Sequence, residues 1–190
     1  MESIGRDTAL IIIDVQKGLD EPGLGRRNNP EAEANIARLL SAWRQAGRPL
    51  FHIKHDSTDP HSALRPDSPG NEIKDIVLPR NGEPLIRKTV NSAFIGTDLE
   101  ERLHRAGIRS LLLTGLTTNH CVETTTRMAG NLGFDAYLVW DATATFDRTG
   151  PDGRWHSADD ILSVTLANLQ DEFATIVSTD AVLEAVSRAP

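Results

Sequence analysis

Leu111-Leu-Leu-Thr-Gly-Leu-Thr-Thr-Asn-His-Cys121 is the stretch on which the reading of this 190-residue chain turns. Three consecutive leucines, Leu111 to Leu113, read as a strand covered on both faces. Gly115 punctuates that strand, and Val122 to Leu132 has the pattern of a helix stopped by Gly133. A buried strand feeding straight into a helix is the unit from which parallel sheets with helical crossovers are built. The same junction delivers Cys121, the one cysteine of the chain, to the mouth of a helix. Backbone N–H groups and the helix dipole favour a thiolate there, and would also hold an oxyanion formed at a substrate carbonyl. Taken alone, such a cysteine reads first as an inert buried residue.

Outward from this junction the alternation repeats. Thr8 to Ile13, Pro49 to Lys54, Pro84 to Ile86, Arg109 to Thr114, Asp135 to Trp140 and Phe173 to Ser178 read as strands. Asn29-Pro30 offers an N-cap and a first-turn proline for a helix whose Ile36, Leu39, Leu40 and Trp43 share one face until Gly47. Thr97 to Glu100 has the form of a capping box for a helix ending at Gly107. Ser157 to Asp160 opens another, which carries Ile161, Val164, Leu166 and Leu169, and a last helix begins near Thr179. The expectation is a three-layer α/β/α sandwich, Rossmann-like, with a central, mainly parallel six-stranded sheet in a single domain over residues 1–190. Lys17 to Asn28, Ser57 to Pro79 and Thr145 to His156 are long irregular segments after strands, placed to wall a site.

Composition narrows the partners. The net charge is −7 and the charges are dispersed, which argues against nucleic acid and anionic membrane surfaces. A single cysteine excludes an internal disulfide, and Met1 to Asp7 lack an apolar signal core, so a cytoplasmic protein is expected. No apolar run reaches the roughly 20 residues that a membrane span needs.

Two charged residues stand where apolar strands stop. The first strand ends abruptly on Asp14, and the short run before Arg87 puts Lys88 at what reads as the same edge, the carboxyl end of an open parallel sheet where ligands bind. By itself Asp14 reads as well as a loop residue, and Lys88 as a solvated lysine. Together with Cys121 they carry a resemblance. Asp14 after the first strand, Lys88 followed by Asn91-Ser92-Ala93-Phe94, and Gly115-Leu-Thr-Thr-Asn-His-Cys-Val122 resemble, in this order and over nearly the whole chain, the isochorismatase-like cysteine hydrolases, among them nicotinamidases and N-carbamoylsarcosine amidase.

That resemblance implies a catalytic triad of Asp14, Lys88 and Cys121. It also implies a cis peptide between Leu116 and Thr117, and an oxyanion hole made by the backbone N–H groups of Thr117 and Cys121. The activity expected is hydrolysis of an amide-like C–N bond of a small molecule through a thioester on Cys121. Isochorismatase-type hydrolysis of a vinyl ether, or a non-catalytic protein that binds ligands or senses oxidants through its thiol, are the alternatives. The family's habit of forming dimers, tetramers or larger assemblies makes a homo-oligomer the expectation. Gln16, Leu19, His55, Phe94, Thr118, Asn119 and Trp140 are the candidate substrate contacts. The Asp-x-His metal pattern of the nicotinamidase branch is not met at Lys54-His55-Asp56-Ser57. His52, His55 and His61 are irregularly spaced, so no metal and no organic cofactor is expected.

Overall fold

In the computed structural model, which describes residues 4–188, the apolar runs become one six-stranded sheet. Its strands are β1 (Ala9–Ile13), β2 (Leu50–His55), β3 (Leu85–Lys88), β4 (Ser110–Leu116), β5 (Asp135–Ala144) and, after a short antiparallel hairpin of β6 (Arg148–Thr149) and β7 (Trp155–His156), β8 (Thr175–Val177). They lie in the order β3-β2-β1-β4-β5-β8, and every neighbouring pair is parallel. Chain order runs outward from β1 to one edge and then, through β4, to the other. The strand order therefore reverses between β1 and β4, and an open α/β sheet binds ligands beyond the carboxyl ends of its strands at such a point.

Five helices cover the two faces: α1 (Ala32–Gln45), α2 (Leu99–Arg105), α3 (Glu123–Asn131), α4 (Ala158–Leu169) and α5 (Thr179–Arg188). Successive strand residues point to opposite faces, and β1 shows the division. Leu10 and Ile12 pack with Ile36, Leu39, Leu40 and Trp43 of α1 and Val182 of α5. Ile11 and Ile13 pack on the other face with Leu99 and Leu103 of α2, Ala129 of α3 and Leu169 of α4. Both faces of the central strands are thus sealed, which is why the leucine run of β4 carries no polar alternation.

Several boundaries differ from expectation for local reasons. Asn29 does not cap α1, which begins at Ala32. Its backbone has φ 42°, and its side-chain amide donates to the carbonyl oxygens of Trp140 at 2.8 Å and Thr143 at 2.7 Å, tying the helix entry to β5. The capping box at Thr97 is not formed either, because Thr97 Oγ1 donates back to Ala93 O. The box at Ser157 and Asp160 is present in full and opens α4. Val164 of that helix is 60% exposed, and the helix buries Ala158, Leu162, Thr165 and Leu169 instead. β5 does not stop at Trp140 but continues to Ala144, after a register shift against β4 between Leu113 and Gly115. A π-helical turn over Thr118–Val122 precedes α3, so the helix proper starts two residues after Cys121. Among the described residues no helix is long and apolar enough to cross a membrane.

Candidate active site

The carboxyl ends of β1, β3 and β4 converge on one cavity. Asp14 follows the last residue of β1 with φ 51°, a left-handed conformation that Asp tolerates better than most residues. Lys88 ends β3, and Cys121 sits in the π-helical turn after β4. Gly115 brings β4 close to β1: at φ 125°, any Cβ there would lie 2.0 Å from Ile13 O, so only glycine lets the two strand ends meet. The peptide between Leu116 and Thr117 is cis.

Lys88 has its side chain out of water and spends its three N–H donors on three acceptors. They are Asp14 Oδ2 at 2.6 Å, His55 Nδ1 at 3.1 Å and Val90 O at 3.2 Å. The other Asp14 oxygen, Oδ1, is buried and has no hydrogen-bond partner. The Cys121 thiol donates to Asn91 Oδ1 at 3.8 Å, and one carboxylate oxygen of Asp14, one ring nitrogen of His55 and the Cys121 sulfur all lie within 4.8 Å of one another. Burial pushes the Asp14 carboxyl up while Lys88 pulls it down. Burial, reinforced by the Asp14 charge, pushes the Cys121 thiol up to about 12. Burial and a neighbouring carboxylate thus work against the thiolate that the sulfur's place ahead of a helix favours. His55 is held neutral, lowered by burial and by the Lys88 ammonium.

Asp14, His55 and Cys121 form the one cluster of metal-capable side chains among the described residues. It is a poor cation site, because the Lys88 ammonium already stands against both Asp14 and His55. The three histidines considered from sequence do not gather: His52 is buried against Glu83 at 3.1 Å, and His61 lies in an exposed turn.

The cavity, of about 230 Å³, is walled by all three of the long irregular segments, through Leu19 and Leu24, Leu64, and Phe146 with Arg148. Of the sequence-derived contacts, Leu19 and His55 line it, as do Thr117, Asp14 and Cys121, while Lys88 stands behind Asp14 and His55. The remaining contacts do not line it. Gln16 is fully buried and clamps backbone instead, accepting from His55 N and donating to His55 O and Asn71 O. Phe94 belongs to the core and stacks on Phe134 with ring centres 5.9 Å apart. Thr118 is buried against Thr143, and Asn119 accepts from Thr145 Oγ1 on the far side of the π-helical turn. Trp140 is 40% exposed on the outside, because β5 runs on past it. Residues not chosen from sequence complete the wall, notably Asn91, His120 and Arg148. Asn91 had a signal in its position three residues beyond Lys88, and Arg148 in being one of the arginines of the pocket loops, with Arg26, Arg27 and Arg65, that make a carboxylate-bearing substrate possible.

Residues 8–181 match the isochorismatase domain. The isochorismatase family protein YrdC of Bacillus subtilis is 51% identical over 175 residues, covering 92% of this chain and 94% of that protein. Nicotinamidase 3 of Arabidopsis thaliana is 29% identical over 185 residues, covering 90% of this chain and 85% of that protein. Among solved structures, a hydrolase of the isochorismatase family from Chromobacterium violaceum superposes with a TM-score of 0.96 at 44% identity, covering 100% of this chain and 98% of that one.

Proposed function

The chain belongs to the isochorismatase family of hydrolases, and from that premise we propose that it cleaves an amide-like C–N bond of a small molecule through a thioester on Cys121. The observation that carries this reading is a buried Asp14 carboxylate within 4.8 Å of the Cys121 thiol, with one oxygen held by Lys88 at 2.6 Å and the other, Oδ1, unpartnered. That oxygen is a base already aimed, and its carboxylate cannot turn away while Lys88 holds it.

Asp14 Oδ1 takes the thiol proton as the sulfur attacks the carbonyl carbon. Backbone N–H groups of Thr117 and Cys121 receive the negative charge on the carbonyl oxygen, each donor contributing roughly 3 kcal/mol to the transition state. The C–N bond breaks as the nitrogen takes the proton from Asp14, leaving a thioester. Water then gives a proton to Asp14 and attacks the same carbon, the C–S bond breaks, and the proton returns to sulfur. The sum is amide plus water giving acid plus amine, with no cofactor required. A relative named nicotinamidase and another named streptothricin hydrolase support a C–N bond as the target.

The test is to incubate the protein with primary amides and carbamoyl compounds, follow ammonia release, and look by intact mass for an acyl adduct that disappears in Cys121→Ser. Hydrolysis that persists in Cys121→Ala, or turnover of a vinyl ether with no adduct, would overturn the thioester.

A further inference from the structure

The cavity wall is lopsided in charge. Asp14 is its only acid, and that acid is already paired with Lys88. Leu19, Leu24, Leu64, Leu116 and Phe146 give it an apolar band. Arg148, carried in by the β6–β7 hairpin, is different: among the described residues no carboxylate pairs with it, and its one contact is Nη2 to His120 Nδ1 at 3.5 Å. Arg26, Arg27 and Arg87 are neutralised, by Asp159 at 2.8 Å, by Glu33 and by Asp56, whereas Arg65 and Arg154 of the same loops, which likewise have no carboxylate partner among the described residues, do not line the cavity. A guanidinium left without an anion on the wall of a small, partly apolar cavity is poised for one from outside.

The two histidines on the wall add to this. Lysine and arginine only donate, so the ring nitrogen that faces each must carry a lone pair. His55 turns Nδ1 to Lys88 and His120 turns Nδ1 to Arg148, which puts the proton of each neutral ring on Nε2. Burial and the adjacent cation push both rings down in pKa, so they stay neutral donors near neutral pH. Next to Arg148, therefore, stands a second donor, His120 Nε2–H, while the carboxylate and amide acceptors of the wall, Asp14 and Asn91, lie near the Cys121 sulfur.

We propose that Arg148 and His120 bind a carboxylate carried by the substrate, so that this protein's substrates are small amides or carbamoyl compounds bearing an acid group a few bonds from the scissile carbonyl. The inference rests on the C–N hydrolase reading above and assigns its substrate class. Carboxylate fits better than a bulkier anion, because the cavity of about 230 Å³ is smaller than sites for drug-sized ligands and a single guanidinium matches a planar, two-oxygen group. The leucines and Phe146 then pack the short carbon spacer between the two polar ends.

Succinamate and butyramide share a four-carbon skeleton and differ in the distal carboxylate, which makes them suitable probes. The full chain is expected to show kcat/KM at least roughly tenfold higher for succinamate, the gain of one charged hydrogen-bonded contact. Arg148→Met should bring the ratio close to one, mainly through KM, and Arg148→Lys should recover part of it. A ratio at or below one in the unaltered protein, or a preference that survives Arg148→Met, overturns the carboxylate site. Calorimetry on Cys121→Ala separates this from the chemistry: succinamate should bind more tightly than butyramide even if neither is turned over. Equal binding of the two removes the carboxylate site, whereas absence of hydrolysis and of any acyl adduct in the unaltered protein removes the thioester reading alone.

Discussion

The two ends of the sheet hold nearly the same ingredients in opposite conditions. At the amino end, Glu83 lies just before β3 and is saturated. It accepts from Arg44 Nε at 2.7 Å, Arg44 Nη2 at 2.8 Å and Arg80 N at 2.8 Å, and it faces His52 Nε2 at 3.1 Å. The Arg44 guanidinium beside it and these further bonds hold its carboxyl at about 2. At the carboxyl end, Asp14 has one oxygen bound by Lys88 and the other bare, and its carboxyl is pushed up rather than down. A carboxylate, a cation and an imidazole occur in both places. Complete satisfaction makes one a brace; the other keeps an unpartnered oxygen and lies near a thiol, as the base proposed above requires.

That contrast is breakable. Cys121→Ala should produce the largest effect, a loss of turnover of roughly 10⁴-fold or more with the melting temperature little changed. Asp14→Asn removes the base and should lower kcat by roughly 10²- to 10⁴-fold, read in the same assay. Lys88→Met leaves a buried carboxylate without its cation and should destabilise the fold by roughly 3–5 kcal/mol in urea titration as well as abolish activity. At the other end, Glu83→Gln should reduce stability by roughly 1–3 kcal/mol while kcat per folded molecule stays within about twofold. If Glu83→Gln instead matched Asp14→Asn in turnover, the division of the sheet into a braced end and a reactive end would fail.

Acidity sharpens the same comparison. Glu83 is lowered from 4.5 to about 2, so its contribution to stability is present above pH 4.5 and is lost as pH falls towards 2. Unaltered protein and Glu83→Gln should therefore converge in stability across that window. The smallest effect is a titration shift. The Asp14 charge helps to raise the Cys121 thiol to about 12, so iodoacetamide labelling should be slow at neutral pH and its onset should move to lower pH in Asp14→Asn.

The sheet was legible because its strands are buried on both faces and their sequences show it: Ala9 to Ile13 and Leu111 to Leu113 have no polar interruption. Asp14 and Lys88 drew notice where apolar runs stop and Cys121 where a strand leads into a helix, but it took the resemblance to a known family to join them as a triad. The wall was not. Gln16 lies two residues beyond Asp14 in sequence, but its side chain turns into the β1–β2 junction to satisfy the backbone of His55. Trp140 reads from sequence as the end of a strand that continues through a register shift, a tertiary adjustment that period-two patterning does not encode. Leu24, Leu64, Phe146 and Arg148 come from segments without periodicity, where only the folded chain decides which side chains turn inward.

The separation of floor from walls has an evolutionary and practical corollary. Asp14 and Lys88 stand at strand ends and Cys121 in the turn that follows β4, which Gly115 lets approach β1, whereas Leu24, Leu64 and Arg148 ride on connecting segments that can lengthen, shorten or change composition without disturbing those anchors. Descendants of one ancestral scaffold can accordingly diverge in diet while inheriting the same teeth, and grafting a foreign segment between Thr145 and His156 is the natural way to retrain this one.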